Sequence, residues 1–223
     1  MKKGFLLLAV ACMFLSVSCK KDADVTISFT TDNIVVALGG SNADLVQYAK
    51  ASDGSTVTVS GVDFEKIGEQ TATFKAGDVS VDKTVRVSAA RLAGTYRIHV
   101  LDSAGTQELT QGNGWRLELT AGDAYNKINI PSEVGGQRIF TDVDHLTVTF
   151  TKGVGKIANY TGGYKFVGGS GYTIKFQNIT YGKNNEGLYA LNGFTVKLVQ
   201  QGYNDFYEQV RFEKEEDAEE EEE

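Results

Sequence analysis

Short runs in which apolar and polar residues alternate recur along this chain, and no other feature constrains its fold as strongly. Residues 56–60, Thr-Val-Thr-Val-Ser, show the pattern, and residues 70–74 repeat it after Gly68. Such alternation places every second side chain on the same face of a β-strand. Gly, Asn and Asp interrupt the runs, long helical periodicity is absent, and Pro131 is the single proline. The sequence therefore predicts an all-β protein.

Residues 25–90 are predicted to form a small β-sandwich. Turn sequences such as Ser52-Asp53-Gly54 separate the strand runs at the spacing that is typical of immunoglobulin-like folds. Residues 51–59, 68–74 and 84–87 resemble the bacterial Ig-like modules of secreted and surface proteins. This resemblance implies a spacer or adhesive module that lacks a fixed catalytic site.

Residues 92–212 differ in composition from the part before them. They contain 17 of the 23 aromatic residues and 18 of the 25 glycines. Alternating runs predict strands throughout, including residues 94–101, 188–191 and 194–200. We expect a larger antiparallel β domain here, built either as a second sandwich or as a barrel.

The negative charge of the chain is concentrated at its C-terminal end. Residues 213–223 hold nine acidic residues and one lysine, a net charge of −8, whereas residues 19–212 hold 20 acidic and 19 basic residues. A run of this kind repels itself and cannot bury apolar surface, so we predict a disordered acidic tail. The nearly neutral remainder has no block of positive charge that would indicate nucleic-acid binding.

The first residues have the three parts of a secretory signal. Two lysines precede an apolar run over residues 5–17, and small residues follow it. The run is too short to cross a bilayer, which takes about 20 apolar residues. Leu15-Ser16-Val17-Ser18-Cys19 resembles the lipobox of bacterial lipoproteins. This resemblance implies a lipoprotein signal peptide over residues 1–18 that is cleaved just before Cys19.

The same resemblance implies that Cys19 is lipidated. In lipoproteins the cysteine thiol takes a diacylglycerol, and the new amine takes a third acyl chain such as palmitate. Several acyl chains hold a protein stably in a membrane, where one chain binds only marginally. The only other cysteine, Cys12, leaves with the signal. The mature chain is therefore expected to have no disulfide and no thiolate metal site.

Residues 19–24 form a short charged linker between the anchor and the β-rich body. Within it, Lys20-Lys21-Asp22 resembles the export tag of Bacteroides-type surface lipoproteins. The resemblance implies a protein that is lipid-anchored in the outer membrane and displayed at the cell surface, with the periplasmic side as the alternative.

The sequence does not favour an enzyme. It contains only two histidines, His99 and His145, and no Gly-x-Ser-x-Gly motif that would present a nucleophile. Asp142 and Asp144 lie on one face of a strand or in one loop, so they do not form the pair across a cleft that glycoside hydrolysis needs. We therefore predict no catalytic residues, no metal site and no cofactor.

The excess of aromatic residues indicates binding instead, because flat aromatic rings stack on the apolar faces of sugars. Most of the aromatics, including Trp115, alternate in phase with aliphatic residues and are predicted to lie in the core. Four tyrosines do not, and they lie in or beside loops rich in glycine and asparagine, where binding residues concentrate. These candidate ligand-binding residues are Tyr160, Tyr181, Tyr203 and Tyr207. The alternative is that they cap the ends of strands.

Asp102-Ser103-Ala104 resembles the short acceptor motif of bacterial protein O-glycosylation, which makes Ser103 a candidate modification site. Together the features predict a lipid-anchored surface protein that binds an extracellular ligand, such as a glycan, without catalysis. The alternative is a structural or adhesive envelope protein that docks a protein partner.

Overall fold

A computed structural model describes residues 24–110, 114–165, 172–199 and 205–215 of the protein. Nearly all of the secondary structure in these ranges is strand, which confirms the all-β prediction. The helical elements there are α1 (Asn42–Val46) and a 3-10 turn.

The N-terminal part is a small sandwich of two sheets. Its strands are β1 (Ile27–Phe29), β2 (Ile34–Ala37), β3 (Ala49–Ala51), β4 (Thr58–Ser60), β5 (Gly68–Ala76) and β6 (Val79–Ser88). One sheet pairs β1 with β3, and the other has the order β2-β6-β5-β4, with β2 parallel to β6. The rings of Phe29 and Phe74 meet edge to face between the sheets, with their centroids 5.0 Å apart. The sandwich is thus confirmed, and its kinship with Ig-like modules stays a prediction.

The second part follows the 3-10 turn Ala90–Leu92. Its strands are β7 (Gly94–Leu101), β8 (Trp115–Ala121), β9 (Lys127–Pro131), β10 (Glu133–Val134), β11 (Gln137–Arg138), β12 (His145–Thr151), β13 (Val154–Ile157), β14 (Tyr160–Gly162), β15 (Tyr172–Lys183), β16 (Tyr189–Val199) and β17 (Phe206–Lys214). Apart from the β10–β11 hairpin, they form one nine-stranded antiparallel sheet with the order β13-β12-β9-β8-β7-β17-β16-β15-β14.

This nine-stranded sheet curls back on itself. Its first and last strands along the chain, β7 and β17, are paired in the middle of the sheet. The strands at its two edges are β13 and β14. The curl brings the edge strand β13 against β15, and a Cβ at Gly155 of β13 would lie 2.7 Å from the Ile179 side chain of β15. Of the two architectures expected, the structure shows a single curled sheet rather than two stacked sheets.

The core of the second part lies inside this curl. Alternate residues of each strand point inward, as the period of two requires. The largest fully buried side chains of this part are Tyr96, Leu119, Ile128, Phe150, Ile174 and Leu191. Burying an aliphatic or aromatic side chain of this size contributes about 1.5–3 kcal/mol to folding. The outward face of the sheet is consequently free to carry polar groups.

The two parts contact each other through backbone hydrogen bonds. The Gly153 amide donates to the Ile67 carbonyl, and the Ala89 amide donates to the Tyr125 carbonyl, each at 2.7 Å. Gly68 has φ +134° and lies so close to Lys152 that a Cβ would fall 2.9 Å from the Lys152 nitrogen. A residue with a side chain would be strained there, so glycine is required at this contact.

The ordered chain continues past the start of the predicted acidic tail. β17 runs to Lys214, whose ammonium donates to the carbonyl oxygens of Arg91 at 2.8 Å and Ala93 at 2.7 Å. Glu215 lies between Arg97 and Arg116, at 2.8 Å and 2.9 Å. The prediction that disorder begins at residue 213 is therefore wrong at its boundary, because these charges have partners that are distant in sequence. The tail from residue 216 onward lies outside the described residues.

Candidate functional site

A polar groove of about 370 Å³ opens on the outer face of β15, β16 and β17. We call it the outer groove. Its polar side chains are Asn178, Thr180, Asn192, Thr195, Gln209 and Arg211. Amides, hydroxyls and a guanidinium offer both donors and acceptors, so the groove suits a ligand with many hydroxyl groups.

A β-bulge in β15 shapes one wall of the outer groove. The pairing of β15 with β16 shifts in register between Gln177 and Thr180. Asn178 lies at this shift with φ +54°, in the left-handed region that asparagine tolerates better than most residues. A bulge leaves one residue unpaired and bends its strand. The bend opens space above the neighbouring strand β16.

Gly193 forms the floor of the outer groove. It pairs with Thr180 on one side and with Arg211 on the other. A Cβ at this position would lie 2.3 Å from the carbonyl oxygen of Val210, so no larger residue fits without a backbone shift. The floor is therefore formed by backbone alone, and the polar side chains on either side of it form the walls of the groove.

Two further rows of residues continue the outer face beyond Gly193. In the first row Thr195 pairs with Gln177 and Gln209. In the second row, which is named the lysine row, Lys197 pairs with Lys175 and Tyr207. Residues that are directly paired in an antiparallel sheet point to the same face, so these rows form one surface with the groove.

Tyr207 is an exposed aromatic residue on that surface, and its exposed fraction is 36%. Tyr207 is the second residue of β17, and its role in ligand binding stays a prediction. The ammonium of Lys197 lies 5.3 Å from the centroid of its ring. Because Tyr207 and Gln209 are two residues apart on one strand, the ring lies about 7 Å from the edge of the outer groove.

Tyr160 is buried, with only 7% of its surface exposed. Its ring packs edge to face on Phe140, and its hydroxyl accepts a hydrogen bond from the amide of Asp142 at 3.2 Å. The prediction that Tyr160 offers an exposed ring to a ligand is therefore wrong. Partners 18 residues away in sequence hold it inside the structure.

Tyr181 lies at the contact between the two parts of the protein and not in the outer groove. Its hydroxyl accepts from the amide of Ile67 at 3.0 Å and donates to the carbonyl of Glu65 at 3.3 Å. Its ring packs edge to face on Phe150, and burial raises its pKa above the usual value. The prediction of a ligand-binding role for Tyr181 is wrong in its premise of an open loop, because the ring and hydroxyl already have protein partners.

The remaining candidates have different outcomes. Cys19 and Tyr203 lie outside the described residues. Ser103 is exposed in a turn, where the Asp102 carboxylate accepts hydrogen bonds from the amides of Thr106 at 2.7 Å and Gln107 at 3.1 Å. The Ser103 hydroxyl is thus accessible, and its modification stays a prediction.

Neither histidine lines the outer groove, although His99 pairs with Arg211, which does. His99 is buried on β7, and its Nδ1 lies 2.8 Å from Oε1 of Glu108. A hydrogen bond from Thr110, assisted by His99, lowers the pKa of Glu108. The other ring nitrogen of His99 lies 3.5 Å from Glu213. His145 is exposed at the start of β12. The His99 ring is therefore held by neighbouring carboxylates.

The sequence analysis did not predict the polar residues of the groove, because it considered aromatic residues in or beside loops. The polar residues that line the groove lie on strands, where alternation assigns them only to a solvated face. The available signal was Asn192-Gly193, a turn-like pair inside a strong β pattern. Glycine within a strand often marks a bulge or a close approach of backbone.

Comparison with known proteins finds no matching family, no similar curated protein and no similar solved structure. Across the described ranges, no group of three or more His, Cys, Asp or Glu residues could hold a metal ion. Neither helical element in those ranges is long and apolar enough to cross a membrane.

Proposed function

We propose that this protein is a lipid-anchored surface protein that binds an extracellular glycan in the outer groove without cleaving it. One observation carries the proposal: a groove lined by amide and hydroxyl side chains lies beside the exposed ring of Tyr207. Sugars present hydroxyl groups at their edges and apolar C–H groups on their faces. The hydroxyl groups of a sugar can form hydrogen bonds with the amides and hydroxyls of the groove, and its C–H face can stack on the Tyr207 ring.

The lining of the outer groove supports binding rather than hydrolysis. Glycoside hydrolysis requires two carboxyl groups that flank the scissile bond. Arg211 is the only ionisable side chain among the described residues that line the groove, and it cannot act as an acid or base at neutral pH. The groove would therefore hold a glycan through hydrogen bonds and stacking, with no carboxyl pair in its lining to cleave it.

Lipidation of Cys19 completes the proposal. Acyl chains at that position would hold the N-terminal sandwich close to the membrane. The curled sheet follows the sandwich in the chain, so it would lie farther from the anchor. The outer groove would then face the medium from which the protein captures its ligand.

Affinity electrophoresis of the full chain in gels that contain polysaccharides tests this proposal. Replacing Gln209 or Tyr207 by Ala should weaken binding about tenfold each, which corresponds to about 1.4 kcal/mol for a lost hydrogen bond or stacking contact. Gln137→Ala, at an exposed position on β11, is the matched control and should bind normally. Absence of binding across a broad panel, or equal binding by all variants, would overturn the proposal.

A further inference from the structure

The lysine row contains two like charges in direct opposition. Lys175 of β15 pairs with Lys197 of β16, and both side chains point to the outer face. Like charges at paired positions of an antiparallel sheet repel each other, because their Cβ atoms are about 5 Å apart. A sheet that carries such a pair is stabilised by any anion that lies between the two ammonium groups.

Among the described residues, a carboxylate pairs with only one of these two lysines. Asp205 forms an ion pair with Lys197 at 2.5 Å, and the centroid of the Tyr207 ring lies 5.3 Å from the same ammonium group. Lys175 is exposed, and no carboxylate of the described residues lies within ion-pair distance of it. One positive charge of the lysine row is therefore open to a ligand.

The outer groove adds a third cation to this face. Its Arg211 guanidinium lies 3.3 Å from Glu213, and both side chains of that pair are 54% exposed. An ion pair so exposed is weak, since water and salt screen it. Between the lysine row and Arg211 the outward residues are the uncharged Gln177, Thr195 and Gln209. Hydrogen bonds from Thr110 and His99, and also the charge of Arg211, lower the pKa of the Glu108 carboxyl, so a third carboxylate lies near this face. The face thus has three cations and three carboxylates, and Lys175 is the cation for which the described residues provide no carboxylate at ion-pair distance.

We propose that the outer groove selects an acidic oligosaccharide, whose carboxylate or sulfate group binds between Lys175 and Lys197. This inference rests on the proposed function, and it names the class of glycan. The lysine row and the row of Gly193 are four residues apart along β16, or about 13 Å. A short acidic chain that lies along β16 could therefore place a charged group on the lysine row and its hydroxyls among the groove amides.

The charge of the whole protein makes the inference testable by ionic strength. A chain with net charge −7 repels polyanions at long range, so an acidic polymer can bind only through a local cationic site. That local attraction is weakened by salt, because the Debye length falls to about 8 Å at physiological ionic strength. Hydrogen bonding of a neutral glycan would change little over the same range.

The experiment compares the full chain with polygalacturonate and with its methyl-esterified form, which has the same backbone without the charges. The acidic polymer should bind at least tenfold more tightly at low salt, and this preference should shrink as salt is added. Lys175→Gln should lose most of the preference, and Lys175→Arg should keep it. Lys50→Gln, at an exposed lysine on β3 of the N-terminal sandwich, should behave as the unmodified chain.

The outcomes separate this inference from the proposed function. Equal binding of the two polymers, with loss in Gln209→Ala, would retain glycan binding and overturn the selection of acidic ligands. An equal effect of Lys50→Gln and Lys175→Gln would show non-specific attraction and would also overturn the inference. Absence of binding to every acidic and neutral glycan tested would overturn both.

Discussion

Replacing Tyr181 by Phe should destabilise the protein and leave ligand binding unchanged. The substitution removes a hydroxyl that accepts from the Ile67 amide at 3.0 Å and donates to the Glu65 carbonyl at 3.3 Å. Ile67 is fully buried, so its amide would lose this acceptor away from water. The ring would keep its contact with Phe150, whose centroid lies 5.1 Å away. The loss is therefore one of hydrogen bonding and not of packing.

The size of this effect follows from the environment of the lost hydrogen bond. A buried donor that loses its partner costs about 1–3 kcal/mol. With a urea dependence of about 2 kcal/mol per molar, the unfolding midpoint should fall by about 0.5–1.5 M. Urea denaturation followed by tryptophan fluorescence measures this, since Trp115 is the single tryptophan.

Tyr207→Phe is the matched control, because it removes a hydroxyl from an exposed ring and should change stability by less than about 0.5 kcal/mol. An unchanged midpoint in Tyr181→Phe would refute the assignment of this hydroxyl to the contact between the two parts. Loss of glycan binding at full stability would refute it as well, since it would place Tyr181 at the ligand.

Three further predictions concern titration and anchoring. Burial raises the pKa of Tyr96 to about 12, so the unfolded chain releases this proton first and stability should fall by about 2 kcal/mol between pH 10 and pH 12. Urea melts in that range should show a smaller fall in Tyr96→Phe, and equal slopes would contradict this. Burial also raises the pKa of Glu208 above its usual 4.5, so the native state holds its proton more tightly and stability falls as pH rises through that value. Glu208→Gln should therefore gain stability relative to the unmodified chain between pH 4 and pH 7, and parallel curves would argue against it. Cys19→Ser should abolish incorporation of labelled palmitate and release the protein from the membrane fraction, whereas retained label would exclude this anchor.

Strand positions were predictable from the sequence where alternation was uninterrupted. The strand predicted over residues 94–101 has the bounds of β7. The strands predicted over residues 188–191 and 194–200 are one continuous strand, β16. The sequence Asn192-Gly193 resembles a turn, but Gly193 is needed inside the strand because any Cβ there would collide with the Val210 carbonyl. The need for glycine at position 193 arises from its neighbour β17, so the residues next to Gly193 in the sequence do not reveal it.

The candidate site was less predictable, because exposure depends on contacts that are distant in sequence. Tyr160, Tyr181 and Tyr207 have similar neighbours along the chain, yet only Tyr207 is exposed. The amide that binds the Tyr181 hydroxyl is 114 residues away. The outer groove depends in turn on the register shift at Asn178, which the pattern of residues does not reveal.

The register of β17 links the core to the outer groove. Its inward residues are Glu208, Val210 and Phe212, and its outward residues include Tyr207 and Arg211. A slip of one residue would turn every side chain to the opposite face. Val210 and Phe212 resist such a slip because it would expose them to water. The buried Glu208 carboxyl makes the register more specific.

Glu208 is fully buried and accepts a hydrogen bond from the Tyr164 hydroxyl at 2.5 Å. The bond can form only when Glu208 points inward, and in any other register a carboxylate and a phenol would each lose a buried partner. The same alternation then holds Tyr207 and Arg211 on the outside. The polar groups of the outer groove are thus positioned by the interior of the curled sheet, and a ligand would meet a surface that is already formed.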